Sequence, residues 1–187
     1  ISSAIDGSVD LVTPGTVYFS ALIEANNGTD DNHNAALILG TDVLDVPAGG
    51  NGTTMMTTGQ GIGFGLNGLS VYAYSYDGGA VTESTGSVAA TNGSTVMILG
   101  EITWGATDTL NLYSITDVTA PLPTAFATVT GTLDESLFDT LAIAGKRQTG
   151  IDEIRFGTEV GDVMPVPEPA TMVLLGLGGL VLRRRRK

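Results

Sequence analysis

Cysteine is absent from the 187 residues, so neither a disulfide nor a thiolate metal site can form. A single histidine, His33, leaves almost no material for imidazole metal sites or for Ser-His-Asp catalysis. Basic residues are nearly missing from most of the chain. Residues 1–165 hold Lys146, Arg147 and Arg155 against 19 carboxylates, a net charge of −16, compared with −12 for the whole. Such a surface repels phosphate backbones, which excludes nucleic acid as a partner. No stretch of useful length in the body has the apolar period of an amphipathic helix. What remains is a chain with 26 glycines and abundant Thr, Ser, Val, Ala and Asn, the composition of an exported all-β protein. Its length suits one domain with a real core.

Apolar alternation and turn residues divide the body into about ten strands. Thr16–Ala25 sets Val17, Phe19, Ala21 and Ile23 on one face, after a Pro14-Gly15 turn. Residues 26–34 form a polar loop, and Ala35–Gly40 is a buried strand. Residues 46–59 are a Gly/Thr/Pro-rich connection. Gln60–Leu66 alternates glycine with apolar residues, so one of its faces is bare. Asn67-Gly68 is a hairpin signal before Leu69–Tyr76, and Asp77-Gly78-Gly79 turns into Ala80–Gly86. Ser94–Trp104, Thr109–Thr116, Ala125–Thr132, Leu141–Ala144 and Ile151–Gly157 complete the set, with one helical turn at Asp134–Phe138. That spacing predicts an antiparallel β-sandwich. The chain opens on Ile1-Ser2-Ser3-Ala4 without the basic-then-apolar leader that export requires. The N-terminus is therefore expected to be trimmed or truncated, with a first strand missing in the second case.

The C-terminal segment differs in kind. Pro165, Val166, Pro167, Glu168 and Pro169 form a Pro-rich lead that cannot be helix interior. Thirteen uncharged residues follow, Ala170–Leu182, and then Arg183, Arg184, Arg185, Arg186 and Lys187. An apolar run before a basic cluster is the pattern of a membrane segment with its basic end in the cytoplasm. As a helix the run is only about 20 Å long against a hydrocarbon core of about 30 Å. Gly176, Gly178 and Gly179 weaken it further. It suits a transient span better than a permanent anchor. The order Pro167-Glu168-Pro169, short apolar segment and terminal Arg cluster resembles the PEP-CTERM sorting signal of exported bacterial proteins. The resemblance implies recognition by an exosortase at the inner membrane, processing near the Pro-Glu-Pro motif, and delivery to the cell envelope, cell surface or extracellular space.

Two further stretches carry a second resemblance. Gly150-Ile151-Asp152-Glu153-Ile154-Arg155-Phe156-Gly157 is similar to the closing strand of LamG-like, concanavalin A-like domains. Val96–Ile102 with Asp108–Tyr113 resembles their central hairpin. The expected architecture is thus an all-β, antiparallel jelly-roll β-sandwich (concanavalin A-like) over residues 1–160. A Pro-rich linker follows at 161–169, then a short hydrophobic transmembrane helix with a basic tail at 170–187.

The body offers few candidates for chemistry. Asp152 and Glu153 are adjacent, so on a regular strand they point to opposite faces. Glycoside hydrolysis needs two carboxylates converging on one bond. The chain lacks the Glu-x-Asp-x-x-Glu run that jelly-roll glycosidases typically carry, and no catalytic residue is assigned. Glu153 and Arg155 share a face as an exposed pair of little energetic weight. Tyr72, Tyr74 and Tyr76 fall on one strand face and, with Trp104, are the candidate platform for stacking sugar rings of an exopolysaccharide; core packing is the alternative for all four. Asp30, Asp31 and Asn32, next to His33, offer clustered oxygen ligands of the kind Ca²⁺ accepts, although such Asx-rich segments also serve as turns. No other cofactor is implied. Two functions follow: a non-enzymatic surface or matrix protein, and a lectin-like module that binds carbohydrate.

Overall fold

The computed structural model describes residues 2–4, 15–25, 34–41, 59–67, 69–89, 93–146 and 149–165. Strands β1 (Ser2–Ala4), β2 (Thr16–Ala25), β3 (Asn34–Gly40), β4 (Gln60–Asn67), β5 (Ser70–Asp77) and β6 (Ala80–Glu83) are followed by β7 (Val88–Ala89) and β8 (Ser94–Thr103). Then come β9 (Asp108–Ile115), β10 (Ala127–Gly131), β11 (Thr140–Lys146), β12 (Thr149–Gly157) and the short helix α1 (Val160–Val163). The strands form two antiparallel sheets. One has the order β1-β11-β3-β4-β5-β6, with β7 also on β5; the other is β10-β9-β8-β2-β12. The chain is an all-β jelly-roll sandwich. Each of the ten strands expected from sequence is present, and β1 and β7 are additional short ones. The apolar run at 170–182 lies outside the described residues.

Alternation explains which faces meet. Val17, Phe19, Ala21 and Ile23 of β2 face Ile62, Phe64 and Leu66 of β4 and Val71 and Ala73 of β5 in one core. The Phe19 and Phe64 rings stack between the sheets at 5.9 Å, and Phe156 packs on Phe19 at 6.0 Å. Fully burying each such side chain stabilises the fold by about 1.5–3 kcal/mol. Gly100 of β8 pairs with Phe19, and a Cβ there would run into the Phe19 ring. Glycine at this point of an otherwise aliphatic strand leaves the ring its space. Trp104 closes one end of the core edge-on to Phe138, with centroids 5.7 Å apart.

Two loops are tied to the core by Asp108, which is 0 % exposed. Its Oδ1 accepts from the Gly105 N–H at 3.1 Å and its Oδ2 from the Leu133 N–H at 2.8 Å. A buried carboxylate is tolerated there because backbone donors meet it.

Strand β12 departs from regular alternation. Asp152 pairs with Leu22 but Arg155 pairs with Ser20, so three steps on β12 match two on β2. This is a β-bulge. Glu153 takes up the extra residue with φ of 49°, and its N–H donates to Asp152 Oδ1 at 2.8 Å. The bulge lets Ile151, Ile154 and Phe156 all pack on the core. Strict alternation would have aimed Glu153 and Arg155 inward with Ile151. The expectation that Asp152 and Glu153 point to opposite faces is corrected accordingly, since both are exposed.

The folded body also runs further than the expected boundary at 160. Helix α1 is capped by Glu159, and Asp162 Oδ2 accepts from the N–H groups of Glu159 and Thr158 at 3.0 and 3.1 Å. Val163 is 0 % exposed and clusters with Leu99 and Ile115 on the outer face of the second sheet. Residues 161–165 are therefore packed structure rather than linker.

Candidate functional site

Tyr72, Tyr74 and Tyr76 lie on β5 opposite Gly65, Gly63 and Gly61 of β4, on the face turned away from the inter-sheet core. Because those glycines carry no side chain, the rings settle over β4; a Cβ on Gly65 would stand 2.9 Å from Tyr74 Cε2. Neighbouring rings are 6.3 and 6.0 Å apart. Tyr74 is 0 % and Tyr76 1 % exposed, and they cluster with Ala36, Ile38 and Ala144. The Tyr74 hydroxyl donates to Glu83 Oε2 at 2.8 Å. Burial, and then Glu83, push the hydroxyls of Tyr74 and Tyr76 well above the ordinary tyrosine range.

These positions correct the stacking platform. A ring with no accessible face cannot take a sugar, which removes Tyr74 and Tyr76. Trp104, 4 % exposed against Phe138, is removed for the same reason. Tyr72 alone of the four keeps partial exposure. Asp30, Asp31, Asn32 and His33 lie outside the described residues, as do Pro167, Glu168, Pro169 and Arg183–Arg186. Among the described residues, no three His, Cys, Asp or Glu side chains are grouped to hold a metal ion.

Sequence reasoning missed a polar row on the outer face of the second sheet. Register sets Thr128 of β10 beside Asn111 of β9, Asn111 beside Glu101 of β8, and Glu101 beside Tyr18 of β2. Hydrogen bonds link all four strands. Thr128 Oγ1 donates to Asn111 Oδ1 at 2.8 Å, and Asn111 Nδ2 donates to Glu101 Oε2 at 3.3 Å. The hydroxyls of Tyr113 and Tyr18 donate to Glu101 Oε2 at 2.6 Å and Oε1 at 3.2 Å. Partial burial, together with the Glu101 carboxylate, raises both tyrosine pKa values. The row is part-buried at Tyr18, Glu101 and Asn111 and exposed at Thr128, and it combines amide, hydroxyl and carboxylate groups, the kinds that recognise sugar hydroxyls. The β8–β9 hairpin was legible, so Glu101 opposite Asn111 could have been found. Tyr18 joins only through a pairing 83 residues away.

The same face carries the C-terminal exit of the body. Ser20 Oγ donates to the Val163 carbonyl at 2.6 Å, and Arg155 Nη1 donates to the Met164 carbonyl at 3.3 Å. Pro165 then lines a small hollow with Ser20, Leu22, Met97, Glu153 and Arg155. Arg155 thus serves the exit strand as well as its 3.5 Å contact with Glu153.

Comparison with known proteins finds the PEP-CTERM protein-sorting motif at residues 165–187. No curated protein sequence matches the chain. The fold is similar to a protein of unknown function from Shewanella oneidensis MR-1, at 12% identity and a TM-score of 0.46. That likeness covers 78% of this chain and 58% of the other. Sheep galectin-11, solved with glycerol, is similar at 8% identity and a TM-score of 0.46, over 84% of this chain and 96% of the galectin. The carbohydrate-binding module CBM66 from Bacillus subtilis follows at 9% identity and a TM-score of 0.39, over 83% and 94%.

Proposed function

We propose that this chain is an exported, non-enzymatic protein of the bacterial cell surface or extracellular matrix, delivered by an exosortase that acts on its C-terminal tail. The observation that carries this reading is the sorting motif at 165–187, which begins at the last packed residue of a finished sandwich. The tail inserts transiently in the inner membrane, its arginines remain on the cytoplasmic side, and cutting near Pro167–Pro169 leaves an acidic jelly roll outside. Intact mass of the protein from the surface fraction tests it. A mass lacking everything beyond the Pro-Glu-Pro region is the expected result; a full-length mass makes the tail an ordinary anchor.

A second reading is favoured by the row Thr128, Asn111, Glu101 and Tyr18: a lectin-like module that holds exopolysaccharide on the outer face of the second sheet. A glycan array of neutral and charged polysaccharides, run with and without chelator, separates the two. The lectin reading expects selective binding that Glu101→Ala abolishes. Loss of binding with chelator would bring Ca²⁺ at Asp30, Asp31 and Asn32 into that role. Flat binding across the array leaves the matrix reading alone.

A further inference from the structure

We propose that the outer face of the second sheet binds a linear glycan built from amino sugars with free amines. The proposal deepens the lectin-like reading of the Glu101 row and rests on it. That row has a neighbour. Register sets Thr16 of β2 beside Thr103 of β8, Thr103 beside Thr109 of β9, and Thr109 beside Thr130 of β10. Each threonine stands two residues from a member of the Glu101 row on its own strand, so the two rows share one face. Thr103 and Thr130 are exposed, and Thr16 and Thr109 partly so. Together the rows make a floor of hydroxyl, amide and carboxylate groups, about 14 Å across the strands and about 7 Å along them.

A wall bounds this floor on one long side. The row beyond Glu101 consists of Ser20, Leu99 and Tyr113. Val163 of α1 packs there, together with Val118 and Leu122 from the connection between β9 and β10. The open part is thus a shelf whose long axis crosses the strands, which suits an extended saccharide better than a single ring. Charge selects among saccharides. The Glu101 carboxylate is held by neutral donors, the hydroxyls of Tyr18 and Tyr113 and the Asn111 amide. Among the described residues no Lys or Arg lies in either row or pairs with Glu101, and Arg155 is engaged by Glu153 and the Met164 carbonyl. A positioned, partly buried carboxylate without a counter-cation, on a body of −16, attracts a protonated amine and repels a uronate. The threonine hydroxyls remain for the sugar hydroxyls. An N-acetylated or neutral sugar satisfies the hydroxyl groups but brings no charge to Glu101.

The full chain is titrated calorimetrically with hexamers of glucosamine, N-acetylglucosamine, glucose and galacturonic acid, at a pH where the amines are protonated. The glucosamine hexamer is expected to bind about tenfold more tightly than the other three, the margin that one charged hydrogen bond supplies. Glu101→Gln keeps the shape of the side chain and is expected to erase that margin. Glu24→Gln removes the same charge from an exposed site on β2, about 20 Å along the strand from Tyr18, and is expected to leave it intact. An equal loss in both variants assigns the preference to net charge and overturns the proposal. Thr103→Lys sets a cation on the shelf at an exposed position and decides the matter if Glu101→Gln does not fold. It is expected to weaken the glucosamine hexamer and strengthen the galacturonate one; an unchanged order of ligands overturns the proposal. Equal binding of the amino and neutral hexamers, lost in Glu101→Ala, overturns the amine preference and keeps the lectin-like reading. Binding of none of the hexamers overturns the lectin-like reading itself.

Discussion

Asp108 shows how much one side chain does in this fold. Its two carboxylate oxygens satisfy backbone donors from two loops 28 residues apart, Gly105 and Leu133, in a site with no water access. Truncation leaves the Leu133 N–H buried and unpaired, at about 1–3 kcal/mol, while the part-buried Gly105 N–H can turn to water at smaller cost. Asp108→Ala is expected to destabilise the body by about 2 kcal/mol in urea denaturation, more than loss of the exposed Glu153–Arg155 pair, worth under about 1 kcal/mol. The tyrosine row divides by the same logic. Tyr74→Ala empties a fully buried site and is expected to cost about 3–5 kcal/mol, whereas Tyr72→Ala, at a partly exposed site, is expected to cost less, about 1–2 kcal/mol. Comparing the two melting temperatures checks this. Equal small losses would mean that the Tyr74 ring is accessible after all.

At the scale of the element, β12 is the most informative strand. The spacing of Ile151, Ile154 and Phe156 fits neither a regular strand nor a helix, and the bulge at Glu153 reconciles it with the core. The cost is a left-handed backbone at a residue with a Cβ, a conformation in which glycine is at ease. Glu153→Gly is therefore expected to be neutral or to stabilise by up to about 1 kcal/mol, and Glu153→Val to destabilise, both read by denaturation midpoint. A loss on Glu153→Gly would mean that the Arg155 contact outweighs the strain. Strands such as β2 and β4 were legible because their alternation is local: Val17 to Ile23, and glycine against Ile62, Phe64 and Leu66. The bulge was not, because it answers to the register with β2. Helix α1 escaped notice because four residues carry no period, and the proline that follows reads as linker until Val163 meets Leu99. The tyrosines were seen as a row, but their burial depended on Gly61, Gly63 and Gly65 lying beside them, which only the β4–β5 register shows. Pairing likewise hid the Glu101 row.

Over the whole molecule the dominant property is one-signed charge. The body carries −16 and the chain contains only two lysines, Lys146 and Lys187. Titration above pH 9 therefore belongs mainly to its five tyrosines. Tyr18, Tyr74, Tyr76 and Tyr113 all have raised pKa values, with burial the first cause and the carboxylates of Glu101 or Glu83 behind it. In the unfolded chain they ionise near pH 10. Below that value the folded and unfolded states bind the same protons, so the stabilisation is fully present. Above it the unfolded state loses protons that the folded state keeps, and stability falls as pH rises toward the folded values. The melting temperature is expected to be flat from about pH 8 to 9.5 and to drop steeply above about pH 10. Tyr113→Phe removes one of these titrations and is expected to make the drop shallower. Salt separates this from general repulsion. The Debye length shrinks from about 8 Å at 0.15 M to about 3 Å at 1 M, so added salt relieves surface repulsion and raises stability at neutral pH. Burial, the first cause of the tyrosine shifts, is not screened. The alkaline drop is expected to persist in 1 M salt, and its disappearance there would assign it to net charge instead.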